Sequence, residues 1–180
     1  MSGRFRRTLH LSKRFFGALS PGAPRPDDIE WVATTLQPGE LELWSRMPAH
    51  DRRHSIAVAR RVDEMLAGAG AQDDRWTAAA LLHDVGKLDA ALGVVGRVGA
   101  TVAGGIAGHD MADAWSQKRG LTRRVGLYLR HPELGAQRIE LADGRPEAVA
   151  WARAHHDEHA RAALEWPAPV VAALHDADDD

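Results

Sequence analysis

The fold of this chain is decided by residues 49–68, which read Ala49-His-Asp-Arg-Arg-His-Ser-Ile-Ala-Val-Ala-Arg-Arg-Val-Asp-Glu-Met-Leu-Ala-Gly68. Apolar residues recur along this stretch at the spacing of one helix face, and a glycine ends it. The apolar residues are Val58, Val62, Met65 and Leu66. His54 lies four residues before the first of them and therefore continues the same stripe. We predict a helix over 49–68 that buries this stripe and turns a histidine inward.

The rest of the chain also predicts helices, separated by short breaks that contain glycine or proline. No run shows the sustained alternation of β-branched and polar residues that is typical of a strand. One helix is expected after Asp27 or Asp28, either of which can cap it. The other expected helices cover about 40–47, a segment from Asp73 or Asp74 to Gly86, and about 98–118, 122–130, 132–142, 146–156 and 167–177. The prediction is an all-α fold, a single helical bundle around one core.

Length and composition exclude several classes of protein. A chain of 180 residues suits one domain. Lys and Arg number 23 against 25 Asp and Glu, so a basic nucleic-acid-binding protein is not indicated and no specific nucleic-acid partner is expected. Cysteine is absent, which excludes a disulfide scaffold, a cysteine-ligated zinc site and a thiol nucleophile. The absence also fits the reducing cytoplasm, where we expect the protein to reside.

The N-terminal residues differ in composition from the rest. Residues 1–26 predict a basic helix and a proline-rich linker, and residues 27–180 predict one domain with a glycine-rich insertion at about 88–120. Lys13 and Arg14 interrupt the apolar run that a secretory signal needs. The basic helix either packs on its own domain or makes a weak contact with an anionic membrane surface through residues 1–19. We expect the insertion to form a loop and a helix that serve as a lid or a partner surface.

Histidines and acidic residues follow one another in an ordered series along the predicted helices. The series is His54, His83-Asp84, His131, His155-His156 and Asp178. Helical bundles build metal sites from inward side chains on facing helices. Imidazole and carboxylate groups are ligands for Mn, Fe, Ni or Zn, and carboxylates also suit Mg. A single histidine is more often a structural residue, but five histidines and two aspartates in this order predict a metal centre.

The strings around these residues resemble the HD-domain metal-dependent phosphohydrolase superfamily, which is defined by the pattern His…His-Asp…Asp. The strings that carry the resemblance are Asp51-Arg-Arg-His54, Leu81-Leu-His-Asp-Val-Gly-Lys87 and Ala173-Leu-His-Asp-Ala-Asp178. Two more, His131-Pro-Glu-Leu-Gly135 and His155-His-Asp157, are similar to its two-metal branches, which include the HD-GYP group. The Gly-Tyr-Pro string of that group is missing after His156, so hydrolysis of cyclic di-GMP is not expected.

The resemblance implies a bundle of the HD-domain type that hydrolyses a phosphoester or phosphoanhydride of a nucleotide or small phosphorylated metabolite. It implies one or two divalent ions, which could be Mn, Fe, Ni or Mg. The implied ligands are His54, His83, Asp84 and Asp178 for the first ion, and His131, His155, His156 and the bridging Asp84 for the second. Asp84 and Lys87 are the implied catalytic residues, and Lys87 is implied to lie near the metal ions and to contact a phosphate oxygen. A guanidinium group matches phosphate geometry well, so Arg53 or Arg52 is a further candidate for binding substrate.

Several alternatives stay open at the level of sequence. Asp176 competes with Asp178 as the last ligand. The dipeptide His109-Asp110 repeats the His-Asp pair without the following Gly-Lys, and His50 lies on the helix face of His54. The alternative functions are an HD-fold binding or sensory module that has lost catalysis, and a two-iron oxygenase of the HD type.

Overall fold

The computed structural model describes residues 22–90, 92, 96 and 109–179. Within these ranges the chain forms ten α-helices, one 3-10 turn at Val85–Leu88 and no strand, which confirms the predicted all-α fold. The helices are α1 (Pro26–Thr35), α2 (Pro38–Ser45), α3 (Ala49–Gly68), α4 (Asp74–Leu82), α5 (His109–Ser116), α6 (Gly120–Leu129), α7 (His131–Leu141), α8 (Pro146–Ala154), α9 (Glu158–Ala162) and α10 (Ala168–Asp179). The predicted basic helix over 1–19 and most of the predicted glycine-rich insertion lie outside the described residues.

Helix α3 has the bounds predicted from its periodicity and packs against α4 and α10. Val58, Val62 and Leu66 are buried as expected, but the prediction for Met65 is wrong, because 43% of this residue is exposed. At 100° per residue the buried face is centred near Val62 and Leu66, so Met65 lies at its edge. His54 lies at the same edge, where the core meets the surface.

Helix α4 lies between α3 and α8 and is buried on every side from Trp76 through Leu82. Of the two predicted capping residues, Asp73 caps the helix, since its carboxylate accepts a hydrogen bond from the amide N–H of Arg75 at 3.0 Å. The helix ends at Leu82, not at Gly86 as expected. No helix in the described ranges combines the length and hydropathy needed to cross a membrane.

Two further helix ends differ from the sequence prediction. Pro26 occupies the first turn of α1 and Arg25 precedes it, so Asp27 and Asp28 lie in the first turn and do not cap the helix. Their carboxylates still stabilise the helix, because they lie near the positive end of its dipole. Helix α8 ends at Ala154, and the short helix α9, which was not predicted, begins after Asp157.

A buried ion pair joins the start of α2 to the loop between α7 and α8. Glu40 is fully buried, and its carboxylate accepts hydrogen bonds from the backbone amides of Gln37 at 2.9 Å and Arg145 at 2.8 Å. The guanidinium of Arg145 lies 3.1 Å from the same carboxylate and donates to the carbonyl of Thr35. This contact orders the entry to α8, and two of the predicted metal ligands, His155 and His156, follow the end of that helix.

Candidate metal centre

Three of the predicted ligands follow the C-terminal ends of three helices. His83 directly follows α4, His155 directly follows α8, and His131 comes two residues after the end of α6. In each case the Nδ1 atom lies against the backbone carbonyl three residues earlier, at 2.7 Å from Ala80, 2.7 Å from Tyr128 and 2.8 Å from Ala152. The last carbonyls of a helix have no partner within the helix, so an imidazole N–H satisfies one of them at each end.

These contacts fix the tautomer of the three imidazoles. A carbonyl oxygen can only accept a hydrogen bond, so Nδ1 must carry the proton and donate. In the neutral ring Nε2 is then left with its lone pair. The Nε2 atoms of His83, His131 and His155 are buried and find no hydrogen-bond partner in the described part of the chain. A buried polar atom without a partner costs about 1–3 kcal/mol, so three in one place indicate a ligand.

The carboxylate of Asp84 lies close to all three of these Nε2 atoms. Its Oδ1 atom is 3.5 Å from Nε2 of His131 and 3.8 Å from Nε2 of His155, and its Oδ2 atom is 3.4 Å from Nε2 of His83. The ligand atoms form two groups, in each of which all lie within 4.8 Å of one another. One group contains Asp84, His131, His155 and His156, and the other contains His54, His83 and Asp84. Asp84 belongs to both and can bridge two ions.

Asp178 joins the second of these groups from α10. Its Oδ1 atom lies 3.2 Å from Nε2 of His54 and 3.6 Å from Nε2 of His83. The packing of α10 against α3 brings the two ends of the predicted series together across 124 residues. Asp176, the competing candidate, is exposed on the same helix. Of the two acids, Asp178 is therefore the one beside the histidines.

The charges around Asp84 and His83 reinforce each other. Burial alone would raise the pKa of Asp84, but the positive charges of Lys87 and His83 outweigh it and hold the pKa well below its usual value. Burial alone would lower the pKa of His83, but the carboxylates of Asp84 and Asp178 outweigh it and raise the pKa to about 10. Nε2 of His83 thus faces two carboxylates, and without a metal ion this position holds a proton.

The pKa values of three further imidazoles are lowered. Burial is the main cause that lowers the pKa of His54, and it holds the pKa of His155 well below the usual value together with the neighbouring histidines. For His156, burial and the charge of His131 lower the pKa to about 3, although part of this residue is exposed. The rings of His155 and His156 are 4.0 Å apart between centroids. Neutral imidazoles are the form that binds a metal ion.

The three predicted cationic residues have different surroundings. Lys87 lies in the 3-10 turn, where its ammonium group donates to Oδ2 of Asp84 and lies 6.0 Å from the ring of Tyr128. Arg53 donates to the carbonyl of Gly22, in the segment that precedes α1. The guanidinium of Arg52 lies 5.4 Å from the ring of Trp44. The side chain of Lys87 therefore contacts a predicted metal ligand.

Two residues beside the centre were not predicted from the sequence. Arg161 of α9 donates from Nη1 to the carbonyl of His155 at 2.7 Å, and this bond orders the turn that carries His155 and His156. His175 of α10 lines a cavity together with these residues. Asp157 caps α9, and this capping residue is the sequence feature from which the helix could have been predicted. His50 lies outside both ligand groups, with Nε2 3.3 Å from Asp51, and His109 begins α5.

Comparisons of the chain with protein-family models, with curated protein sequences and with solved structures give no match. The geometry of the centre fits a divalent cation, because imidazole nitrogens and carboxylate oxygens lie within 4.8 Å of one another in each of the two groups. The residues present could hold one or two ions.

Proposed function

We propose that this protein is a metal-dependent phosphohydrolase of the HD-domain type, which cleaves a phosphoester or phosphoanhydride bond in a small phosphorylated substrate. One observation carries the proposal. The buried Nε2 atoms of His83, His131 and His155 converge on the carboxylate of Asp84, and the described residues offer them no hydrogen bond. Such a set of ligands is suited to Mn, Fe or Ni, and a carboxylate-rich position can also take Mg.

The electrostatics of the centre support a cation. Helices α4, α6 and α8 all point their C-terminal ends at it, and the C-terminal end of a helix carries partial negative charge. Asp84 and Asp178 add two carboxylates. Lys87 contacts Asp84, and Arg161 contacts the backbone carbonyl of His155. A divalent ion would compensate this concentration of negative charge.

The chain's own residues would divide the work of hydrolysis. A bound divalent ion supplies Lewis acidity and lowers the pKa of a coordinated water toward 7. Lys87 lies beside Asp84 and would stabilise the negative charge that develops on the phosphoryl oxygens. Arg53 remains a candidate for binding phosphate at the edge of the site. Arg53→Lys keeps the charge but loses the planar fork, so a raised KM in this variant would support a direct contact.

The proposal is tested by metal analysis coupled to a substrate screen. The protein is stripped with chelator, loaded with Mn²⁺ or Fe²⁺, and assayed for metal per chain and for phosphate release from nucleotides and phosphomonoesters. His83→Ala and Asp84→Ala should each remove bound metal and turnover. His159→Ala, an exposed histidine of α9, is the matched control and should keep both. Full metal content and activity in either ligand variant would contradict the proposal.

The same assay separates the two alternative functions. Oxidation of a substrate that requires O₂, without phosphate release, would identify an oxygenase. Stoichiometric metal without turnover of any phosphorylated compound would indicate a binding or sensory module. Phosphate release under anaerobic conditions supports the hydrolase, since hydrolysis needs only water.

A further inference from the structure

Two neighbouring cavities open beside the metal centre. The first has a volume of about 210 Å³ and is lined by the ligands His155, His156 and Asp178. The second has a volume of about 380 Å³ and lies farther along α9 and α10. Arg161 and His175 line both cavities, so the two cavities adjoin at these residues. We refer to the two adjoining cavities together as the groove.

The second cavity has an apolar wall. Leu164, Trp166 and Val171 line it, and all three pack against the main hydrophobic core. The ring of Trp166 lies 4.9 Å from that of Trp76, which fixes its position. Ala172 of α10 completes the wall and is exposed. A wall built on the core in this way is preorganised to receive an apolar group.

Arg161 places a cation at the boundary between the cavities, where His175 lies 3.6 Å from the carboxylate of Asp179. Nη1 of Arg161 donates to the carbonyl of His155, so the guanidinium is held in place next to the metal ligands. Planar guanidinium groups recognise phosphate oxygens well. A ligand that enters the groove would meet, in order, the metal ligands, a fixed cation and an apolar surface. This order matches a phosphoryl group followed by its ester oxygen and an apolar alcohol.

We infer that the second cavity is a leaving-group subsite, and that the preferred substrates are phosphate esters of an apolar alcohol. This inference rests on the proposed function, because it places the phosphoryl group at the metal centre. Arg161 lies beside the ester oxygen, and the apolar group fills the space between Leu164, Trp166 and Val171. Inorganic pyrophosphate or a sugar phosphate would leave this wall in contact with water.

The inference is tested by binding of phosphonates, whose C–P bond resists hydrolysis. Methylphosphonate, butylphosphonate and 1-naphthylphosphonate share one headgroup and differ in their apolar group. We expect the Mn²⁺-loaded protein to bind the naphthyl compound at least about tenfold more tightly than the methyl compound in calorimetric titrations. The butyl compound shows whether the cavity prefers an aliphatic or an aromatic group. The preferred group is the one whose phosphonate binds more tightly, relative to methylphosphonate.

A variant that fills the second cavity tests whether the apolar group of the ligand binds there. Ala172→Trp should bring the affinity for 1-naphthylphosphonate down to that for methylphosphonate and leave methylphosphonate binding unchanged. Ala57→Trp places the same side chain at an exposed position of α3 and should behave as the unmodified protein. Equal affinities for the three phosphonates in the unmodified protein would overturn the inference, as would an equal weakening of all three by Ala172→Trp. A change in sedimentation mass in Ala172→Trp would overturn it in favour of an interface between copies of the chain.

One ligand without a phosphoryl group separates this inference from the proposed function. 1-Naphthol should bind to the metal-free protein and lose this binding in Ala172→Trp. If it does so while phosphonate binding is independent of Mn²⁺, the apolar subsite stands and the proposed hydrolytic centre is contradicted. Absence of 1-naphthol binding together with Mn²⁺-dependent binding of all phosphonates at equal affinity contradicts the subsite alone.

Discussion

The backbone of Gly86 lies directly against the carbonyl oxygen of His131, and a β-carbon at residue 86 would stand 2.0 Å from that oxygen. From the opposite side, a β-carbon on Gly135 would approach the amide nitrogen of Gly86 to 3.1 Å. The 3-10 turn and the start of α7 therefore pack backbone against backbone. This close approach brings Asp84, which precedes the turn, to 3.5 Å from Nε2 of His131.

Gly86→Ala should therefore damage the centre without removing a ligand. The added methyl group must push the turn away from α7, and overpacking of this kind costs about 1–3 kcal/mol. Urea denaturation should show this loss, and metal analysis should show less bound metal because His131 moves away from Asp84. Gly68→Ala is the control, since a β-carbon there meets nothing within 4 Å. Equal stability and full metal content in both variants would refute this account of the turn.

The fold was largely predictable where a segment carries its own pattern. The bounds of α3 follow from its apolar spacing and its terminal glycine, and Asp73 signals the start of α4. The stop at Leu82 was not predictable from local pattern, because it depends on the imidazole of His83 bonding back to the carbonyl of Ala80 and on the packing of Gly86. Met65 was assigned to the core because a spacing of three or four residues does not locate the centre of a helix face.

The candidate site, like the fold, was predictable where the sequence carries a local pattern and was not where the contact depends on packing. Spacing and resemblance selected residues that the helices bring together, and the side chain of Lys87 contacts Asp84. The contacts that order the site across long separations carry no local signal. Arg145 reaches Glu40 across 105 residues, and the role of Arg161 depends on where α9 places it. Both could be found only once the helices were packed.

The tautomer of the three capping histidines can be observed directly. We expect His83, His131 and His155 to carry their proton on Nδ1 in the metal-loaded protein, because each Nδ1 donates to a backbone carbonyl. Loading with diamagnetic Zn²⁺ or Mg²⁺ permits long-range ¹H–¹⁵N spectra of the imidazoles. His159, which is exposed, serves as the reference for a ring without such a bond. Assignment of the proton to Nε2 in any of the three rings would contradict its role as a ligand.

The metal-free protein should lose stability as the pH falls from about 7 to 5. In the folded protein the pKa of His155 is well below its usual value and that of His156 is about 3, whereas both titrate near 6.5 in the unfolded chain. The unfolded chain then binds more protons, so the free energy of unfolding decreases as the pH is lowered through this range. His83 affects the free energy of unfolding over a different pH range. Its pKa of about 10 contributes stability that is complete below 6.5 and is lost as the pH rises toward 10.

Urea denaturation in the presence of chelator, at pH 7 and pH 5, measures this dependence. The midpoint should be lower at pH 5. The double variant His155→Gln/His156→Gln should show a smaller difference, because two of the groups responsible are gone. An unchanged difference in the double variant would show that other groups cause the acid sensitivity.

The buried pair of Glu40 and Arg145 should contribute strongly to stability. Glu40→Gln removes the charge opposite a largely buried guanidinium, and breaking such a pair typically costs about 3 kcal/mol or more. Glu42→Gln on the same helix removes an exposed carboxylate that lies 3.7 Å from Arg46, and this change should cost less than about 1 kcal/mol. Thermal unfolding of the two variants measures the loss of stability in each. Similar losses in both would argue against the buried pair as a determinant of the fold.

The most direct test of the metal centre is anomalous diffraction from crystals grown with Mn²⁺ or Fe²⁺. Data collected on both sides of the metal absorption edge should place at least one ion beside Asp84, bonded to Nε2 of His83 or to Nε2 of His131 and His155. A second ion, if bound, should share the Asp84 carboxylate. Anomalous density that is absent from this position, at metal concentrations that saturate the protein in solution, would contradict the central claim.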